Sequence, residues 1–313
     1  MKTRGFAALA VALCGSAAGL AQGQVLAPEF AGSYTINDLG SPMGVPPLLG
    51  GLTFLAGDTN TLLIGGLANG PGGGLYRVPV TRDMDGHIVS LGEATLFAEA
   101  PYNDGGINYG PGGVLFASQW PVNMLSQYKP GSTVPDKVID LAPFGVESSH
   151  SAINFVPAGY PGAGRVKLTS YIGGQWLDAG LAPDGFGTFD LVGLTEIPDS
   201  RLPGGPEGFA YVPFDSPVFG GTPTMILSEY AADEVSVYDM NANGDPIVGS
   251  RRTFISGLSG AEGALIDPVT GDFLFSTFGG GDRVLVVGGF NIPAPAAASL
   301  LGLAGLVAAR RRR

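Results

Sequence analysis

The chain has 313 residues, of which 45% are hydrophobic and 14% charged, with 52 glycines and 25 prolines that punctuate short apolar runs. Enough apolar residues are present to fill one large all-β core, which excludes a low-complexity chain. The net charge is −11, and six of the 16 basic residues sit at the two ends while all 27 acidic residues lie between them; such a body does not track phosphates, which excludes nucleic-acid binding.

The chain begins MKTRGFAALAVALCGSAAGLAQGQ, with a basic start, an apolar run and small residues before Gln22 and Gln24. This pattern predicts a helical secretory signal peptide over residues 1–23, cleaved near Ala21 or Gly23. The single cysteine, Cys14, falls inside it, so the exported protein has no disulfide and depends on its core. Leu13 stands where a lipoprotein signal needs a small residue before its cysteine.

Residues 24–50 form an entry segment with Pro28, Pro42, Pro46 and Pro47. Its one strand-like run, SYTINDL at 33–39, has no partner nearby. Farther on, Leu75–Ser118 and Val235–Phe278 repeat one another. Aligning Gly86 with Gly244 brings Thr95 onto Thr253 and Gly105 onto Gly263. Within the second copy, VSVYDM and RRTFIS flank the turn NANGDP, and GALIDP and DFLFSTF flank PVTG. Asn and Gly in such turns accept positive φ, so both pairs read as hairpins. The interval between the copies suits three repeats of about 50 residues, and four strands per repeat of that length is the sequence sign of a β-propeller.

Five candidates for inner strands follow one another: Gly51–Leu55, Gly106–Tyr109, Ala152–Val156, Gly208–Val212 and Gly263–Ile266. Glycine at their openings suits strands crowded around an axis. The expectation is an all-β propeller over residues 24–290 with four-stranded blades. Five blades are favoured, and six are the alternative because the long third repeat, about 150–206, has room for another. ANGPGGG at 68–74 and GGTP at 220–223 read as hairpin loops. The last repeat lacks an outer strand, so SYTINDL is expected to pair with DRVLVV at 282–287 and close the ring, removing an open sheet edge.

The chain ends NIPAPAAASLLGLAGLVAARRRR. An apolar run, Ala296–Ala309, shorter than an ordinary spanning helix, follows a Pro-x-Pro and precedes four arginines that stay on the cytoplasmic side. The order and spacing resemble the PEP-CTERM sorting signal of exopolysaccharide-producing bacteria. That resemblance implies an exosortase as partner, transient membrane insertion of residues 291–313 as a transmembrane helix, cleavage near the Pro-x-Pro, and a destination in the cell envelope or outside the cell. Ala294 stands where the family has Glu, so cleavage follows less directly than export.

The site signal is positional. Asp104, His150, Glu207 and Glu262 precede four of the inner strands, in NDGG, SSHSA, PEGF and AEGA. Aligned repeats would bring all four to one rim of the channel. There they either cap turns or hold an ion, and carboxylates suit Ca²⁺ or another hard divalent metal. The PEG and AEG contexts resemble the senescence-marker/gluconolactonase and NHL-like propellers, and that resemblance implies a divalent metal at this rim. Asp239, Asn241, Asn243 and Asp245 spell the first half of an EF-hand-like loop, but Ser250 stands where its final Glu belongs, so a hairpin turn is the better reading.

Catalytic motifs are missing. Only His87 and His150 are present, His87 beside a hairpin glycine as a solvated turn residue, and there is no GxSxG, HExxH or GxxxxGK. Trp120, Trp176 and Tyr171 either stack on sugars or fill the core. Two functions remain. One is a non-enzymatic surface or matrix protein that uses the propeller to bind, with exopolysaccharide or surface components as partners. The other is a metal-dependent lactonase with Glu207 or Glu262 as base.

Overall fold

The structure, a computed structural model, describes residues 23–292, so the expected leader and nearly all of the expected sorting signal lie outside the described residues. Two short strands lead in, β1 (Val25–Leu26) and β2 (Thr35–Gly40). Blade I contains β3 (Leu52–Leu55), β4 (Asp58–Gly66), β5 (Gly74–Arg82), β6 (Ile88–Leu91) and β7 (Thr95–Glu99). Blade II contains β8 (Asn103–Tyr109), β9 (Leu115–Gln119), β10 (Met124–Tyr128) and β11 (Lys137–Asp140). Blade III contains β12 (His150–Phe155), β13 (Val166–Ser170), β14 (Trp176–Pro183) and β15 (Phe189–Glu196). Blade IV contains β16 (Pro206–Tyr211), β17 (Thr224–Glu229), β18 (Glu234–Asp239) and β19 (Arg252–Ser256), and blade V contains β20 (Leu265–Ile266), β21 (Phe273–Ser276) and β22 (Val284–Gly288). Every blade is antiparallel, blades II to V as meanders and blade I with both β6 and β7 paired to β5, and the protein is a five-bladed β-propeller. The third repeat holds one blade, not two. No helix among the described residues is long and apolar enough to cross a membrane.

Closure follows the expected pairing. β2 lies antiparallel to β22, with Thr35 opposite Gly288 and Asn37 opposite Val286. One strand was not anticipated: β1, only two residues long, pairs with β19 and adds a fifth strand to blade IV. The chain between β1 and β2 therefore straps blade IV to blade V. Phe30 and Tyr34 on this strap are buried among Phe219, Phe254 and Phe290, with Phe30 and Phe254 edge to face at 4.8 Å. That burial fixes the strap in a way that two residues of β-pairing would not.

The core is divided among the seams. Second strands such as β9 and β17 are buried along their whole length because a neighbouring blade covers each face, whereas outer strand β11 alternates half-buried and exposed residues. Each of five apolar clusters spans one seam. For example, Leu63 and Leu75 of blade I meet Ile107 and Leu115 of blade II, and Leu274 and Val286 of blade V meet Leu52 and Ile64 of blade I.

Candidate cation site at the narrow mouth

The inner strands are pinned to one another near their starts. Ser118 Oγ donates to Ser151 O (2.7 Å), Ser228 Oγ to Gly263 O (3.0 Å), and Ser276 Oγ to Gly50 O (2.6 Å). The backbone N–H of Gly51 donates to Asp104 O (2.8 Å) and that of Gly208 to Glu262 O (2.6 Å). Close approach needs glycine here. A Cβ on Gly105 would lie 2.8 Å from Gly208 N and 2.9 Å from Glu207 Oε2. With no side chain in the way, blade II reaches the carboxylate of blade IV across the axis.

The structure brings three of the four expected residues together. Asp104, Glu207 and Glu262 each present a carboxylate oxygen within 4.8 Å of the other two, and all three residues are buried. With all three carboxyls ionised, Asp104 Oδ2, Glu207 Oε2 and Glu262 Oε1 have no hydrogen-bond donor. The amide of Asn69, turned with its nitrogen inward, donates to Asp104 Oδ1 (3.0 Å) and to Asn103 O (3.3 Å). Asn103 is itself buried, and its Nδ2 donates to Ala100 O (2.9 Å).

Burial dominates the electrostatics. It pushes the Asp104 carboxyl up to about 7, with hydrogen bonds from Glu262 and Glu207 working the other way. Glu207 and Glu262 are raised well above the ordinary carboxylate range, first by burial and then by the neighbouring negative charges. Without a cation the group therefore holds protons at neutral pH, and three ionised carboxylates at this spacing need a positive charge between them.

His150 is not part of the group. Its Nε2 lies 3.0 Å from Ala152 O and its Nδ1 3.3 Å from Met124 O, so the ring is turned into the seam between blades II and III, and burial lowers its pKa to about 4. The reason is register. His150 pairs with Ser170 as Asn103 pairs with Gln119 and Pro206 with Glu229. The next residue is the one that turns to the axis: Asp104 in blade II, Glu207 in blade IV, and Ser151 in blade III. Glu262 N donates to Ser276 O, and Gly50 N donates to Gly65 O in the same way, so blade I has Gly50 at this position. Only three of the five blades supply an acid.

Over the carboxylates opens a cavity of about 170 Å³. Glu207 and Glu262 form its floor, Asn69 one side, and Trp120, Tyr171, Tyr230 and Phe278 the walls. Trp120 and Tyr171 are stacking candidates from the sequence; Tyr230, Phe278 and Asn69 are not among them. A signal for the aromatic residues was present: Ser-Gln-Trp (118–120), Thr-Ser-Tyr (169–171), Ser-Glu-Tyr (228–230) and Ser-Thr-Phe (276–278) share one pattern. Trp176 is fully buried and donates from Nε1 to Asp245 Oδ1 (3.1 Å), so it belongs to the core.

The other candidates resolve as structure. In the turn at 241–245, Asn241 Oδ1 accepts from the backbone N–H of Asn243 (2.8 Å) and of Asp245 (3.0 Å), and Asp245 binds the buried Lys167 Nζ at 2.5 Å. These contacts make it a hairpin turn whose acid is taken by an ion pair. His87 is not a free turn residue: its Nδ1 lies 2.7 Å from Asp272 Oδ2 across the seam between blades I and V.

No family model matches the chain, and no curated protein matches it in sequence. Solved structures match it in fold. A glucose dehydrogenase superposes over 81% of this chain and 99% of its own with a TM-score of 0.45 at 13% identity. The pyranose dehydrogenase PQQ domain from Coprinopsis cinerea covers 85% and 97% with a TM-score of 0.46 at 10% identity. An auxiliary nutrient binding protein from Bacteroides ovatus covers 82% and 76% with a TM-score of 0.41 at 12% identity. These likenesses are of fold alone.

Proposed function

We propose that the protein is an exported, non-enzymatic binding propeller whose narrow mouth holds a divalent cation on Asp104, Glu207 and Glu262. One observation carries this reading: three buried carboxylates from three blades converge, and each keeps an oxygen without a donor. Buried charge without a partner is costly, and a hard cation such as Ca²⁺ would supply what the oxygens lack. Three protein oxygens leave several coordination positions open toward the cavity, so the ion would present itself to a ligand. Export rests on the leader at 1–23. Sorting by an exosortase, with transient membrane insertion and a destination at the cell surface or in the extracellular matrix, rests on the resemblance of residues 291–313 to a PEP-CTERM signal.

A metal-dependent hydrolase of the lactonase type is the second reading. The cavity directly over the carboxylates favours it, because an ion there keeps positions for substrate and water.

The test is thermal melting in chelator and in rising free Ca²⁺. Binding at a hundredfold excess over Kd stabilises by about 2.7 kcal/mol, so melting temperature should rise with the ion. Glu207→Gln with Glu262→Gln should abolish the rise. A melting curve indifferent to divalent ions in the wild type would sink the cation reading and the lactonase with it. Lactone turnover that follows the bound ion would put the second reading first.

A further inference from the structure

The aromatic walls are a repeated feature of the ring. In each case the backbone N–H of the ring-bearing residue donates to the loop that enters the inner strand: Trp120 to Tyr102 O (3.0 Å), Tyr171 to Ser149 O (2.9 Å), Tyr230 to Gly205 O (2.9 Å) and Phe278 to Gly260 O (2.8 Å). Blade I makes the same bond, Leu67 to Pro47 O (3.2 Å), with an exposed leucine instead of a ring. Four of five blades thus contribute one aromatic side chain to the same level of the mouth. Tyr171 and Tyr230 meet edge to face at 5.9 Å, and so do Tyr230 and Phe278. All four residues are half-buried, as a wall with one free side must be.

The collar bears on what the carboxylates hold. A small divalent ion keeps oxygen ligands or water and gains little from ring faces. A methylated ammonium has the opposite needs. Its charge is diffuse, its surface is apolar, and ring faces attract it by their negative quadrupole. A cavity of about 170 Å³ with an acidic floor and aromatic walls meets both.

We infer that the narrow mouth is a receptor for a compact alkylammonium group, with the nitrogen over Glu207 and Glu262 and its methyl groups against Trp120, Tyr171, Tyr230 and Phe278. This rests on the part of the reading above by which these carboxylates hold a positive charge, and it names an organic cation in place of the divalent ion. Blade I, without a ring, is the open side, and the rest of the ligand leaves there past Asn69.

The experiment is calorimetric titration of the purified full-length protein with tetramethylammonium chloride, calcium chloride and sodium chloride at matched ionic strength. tert-Butanol serves as a neutral analogue of similar shape. Tetramethylammonium should bind and tert-butanol should not. Trp120→Leu should weaken tetramethylammonium about tenfold, since the ring contact is lost. Tyr230→Leu repeats the test at a second blade, and melting curves check that each variant is folded. Calcium binding without tetramethylammonium binding overturns the inference and leaves the metal reading standing. Tetramethylammonium binding without calcium binding does the reverse, and binding of neither overturns both. Equal binding of tert-butanol, or undiminished tetramethylammonium binding in both folded variants, also overturns it.

Discussion

The two ends of the inner strands differ in size and in how their polar groups are treated. At the starts of the strands, Glu207 and Glu262 line a cavity of about 170 Å³, with Asp104 grouped beside them. At their far ends lies a cavity of about 830 Å³, walled by Tyr160, Tyr211, Phe214, Ile266 and Phe290. In the larger one Asn108 Nδ2 donates to Ile153 O (2.7 Å) and Asn154 Nδ2 to Phe209 O (2.7 Å), each tying its blade to the next, and the one buried wall group without a partner is the neutral Tyr211 hydroxyl. The smaller one leaves three carboxylate oxygens without donors. Volume alone would select the wide mouth. Three buried, converging carboxyls select the narrow one, and they are the stronger indicator because ionising them has an energetic cost that a bound cation can remove.

The largest effect that would break this contrast concerns packing. A Cβ on Gly208 would lie 2.5 Å from Ala264 N, against backbone that cannot give way. Gly208→Ala should cost about 3 kcal/mol in denaturant unfolding. Ala158→Ser, on the exposed wall of the wide mouth, should stay within about 0.5 kcal/mol. Similar costs at both positions would remove the claim that the narrow end is the tight one.

A smaller effect sharpens the electrostatic half of the comparison. Asp104 is raised from 3.8 to about 7, so the folded chain holds a proton that the unfolded chain has lost. A carboxyl raised in this way contributes stability that is fully present below about pH 4 and is lost as pH rises through the folded value. Glu207 and Glu262 extend the loss to higher pH. In chelator, stability should therefore fall by roughly 4 kcal/mol between about pH 4 and pH 8. Glu207→Gln with Glu262→Gln should flatten the fall, and added divalent ion should stabilise more at pH 8 than at pH 5. Melting temperatures across that range decide it; a profile identical in wild type and double variant would mean the carboxyls are not protonated as argued.

The smallest effect is a control away from both mouths. Asp272 raises the pKa of His87 through their hydrogen bond, and the His87 side chain is 44% exposed. Stability from this pair is present below the ordinary histidine value and lost as pH rises through the folded one, and exposure keeps it under about 1 kcal/mol. His87→Gln should lower melting temperature slightly at pH 5.5 and not at pH 8, with no dependence on divalent ions. A metal-dependent change would connect this seam to the mouth.

Much of the architecture was legible because turn chemistry is local. The Asn-Gly and Thr-Gly turns marked hairpins, the spacing of Gly-rich openings counted five blades, and the unpaired SYTINDL found its partner by the need to close the ring. The convergence of Asp104, Glu207 and Glu262 was legible, because each acid directly precedes a Gly at the opening of an inner strand. It failed at His150 because side-chain direction depends on ladder register, and a single residue separates a side chain facing the axis from one turned into a seam. β1 was invisible for another reason. Two residues carry no periodicity, and their strand character comes from the burial of Phe30 and Tyr34 nearby.

The strap has a consequence for how the molecule comes into being. Thr35, near the start of the described chain, pairs with Gly288, near its end. During synthesis β2 must wait for β22, so the ring stays unsealed until almost the last blade strand exists. Closing so distant a contact has a high entropic cost and makes assembly slow. Over that interval β2 offers unpaired backbone to any other chain nearby. A chaperone that masks residues 25–40 would protect this protein at the stage when it is most exposed to self-association.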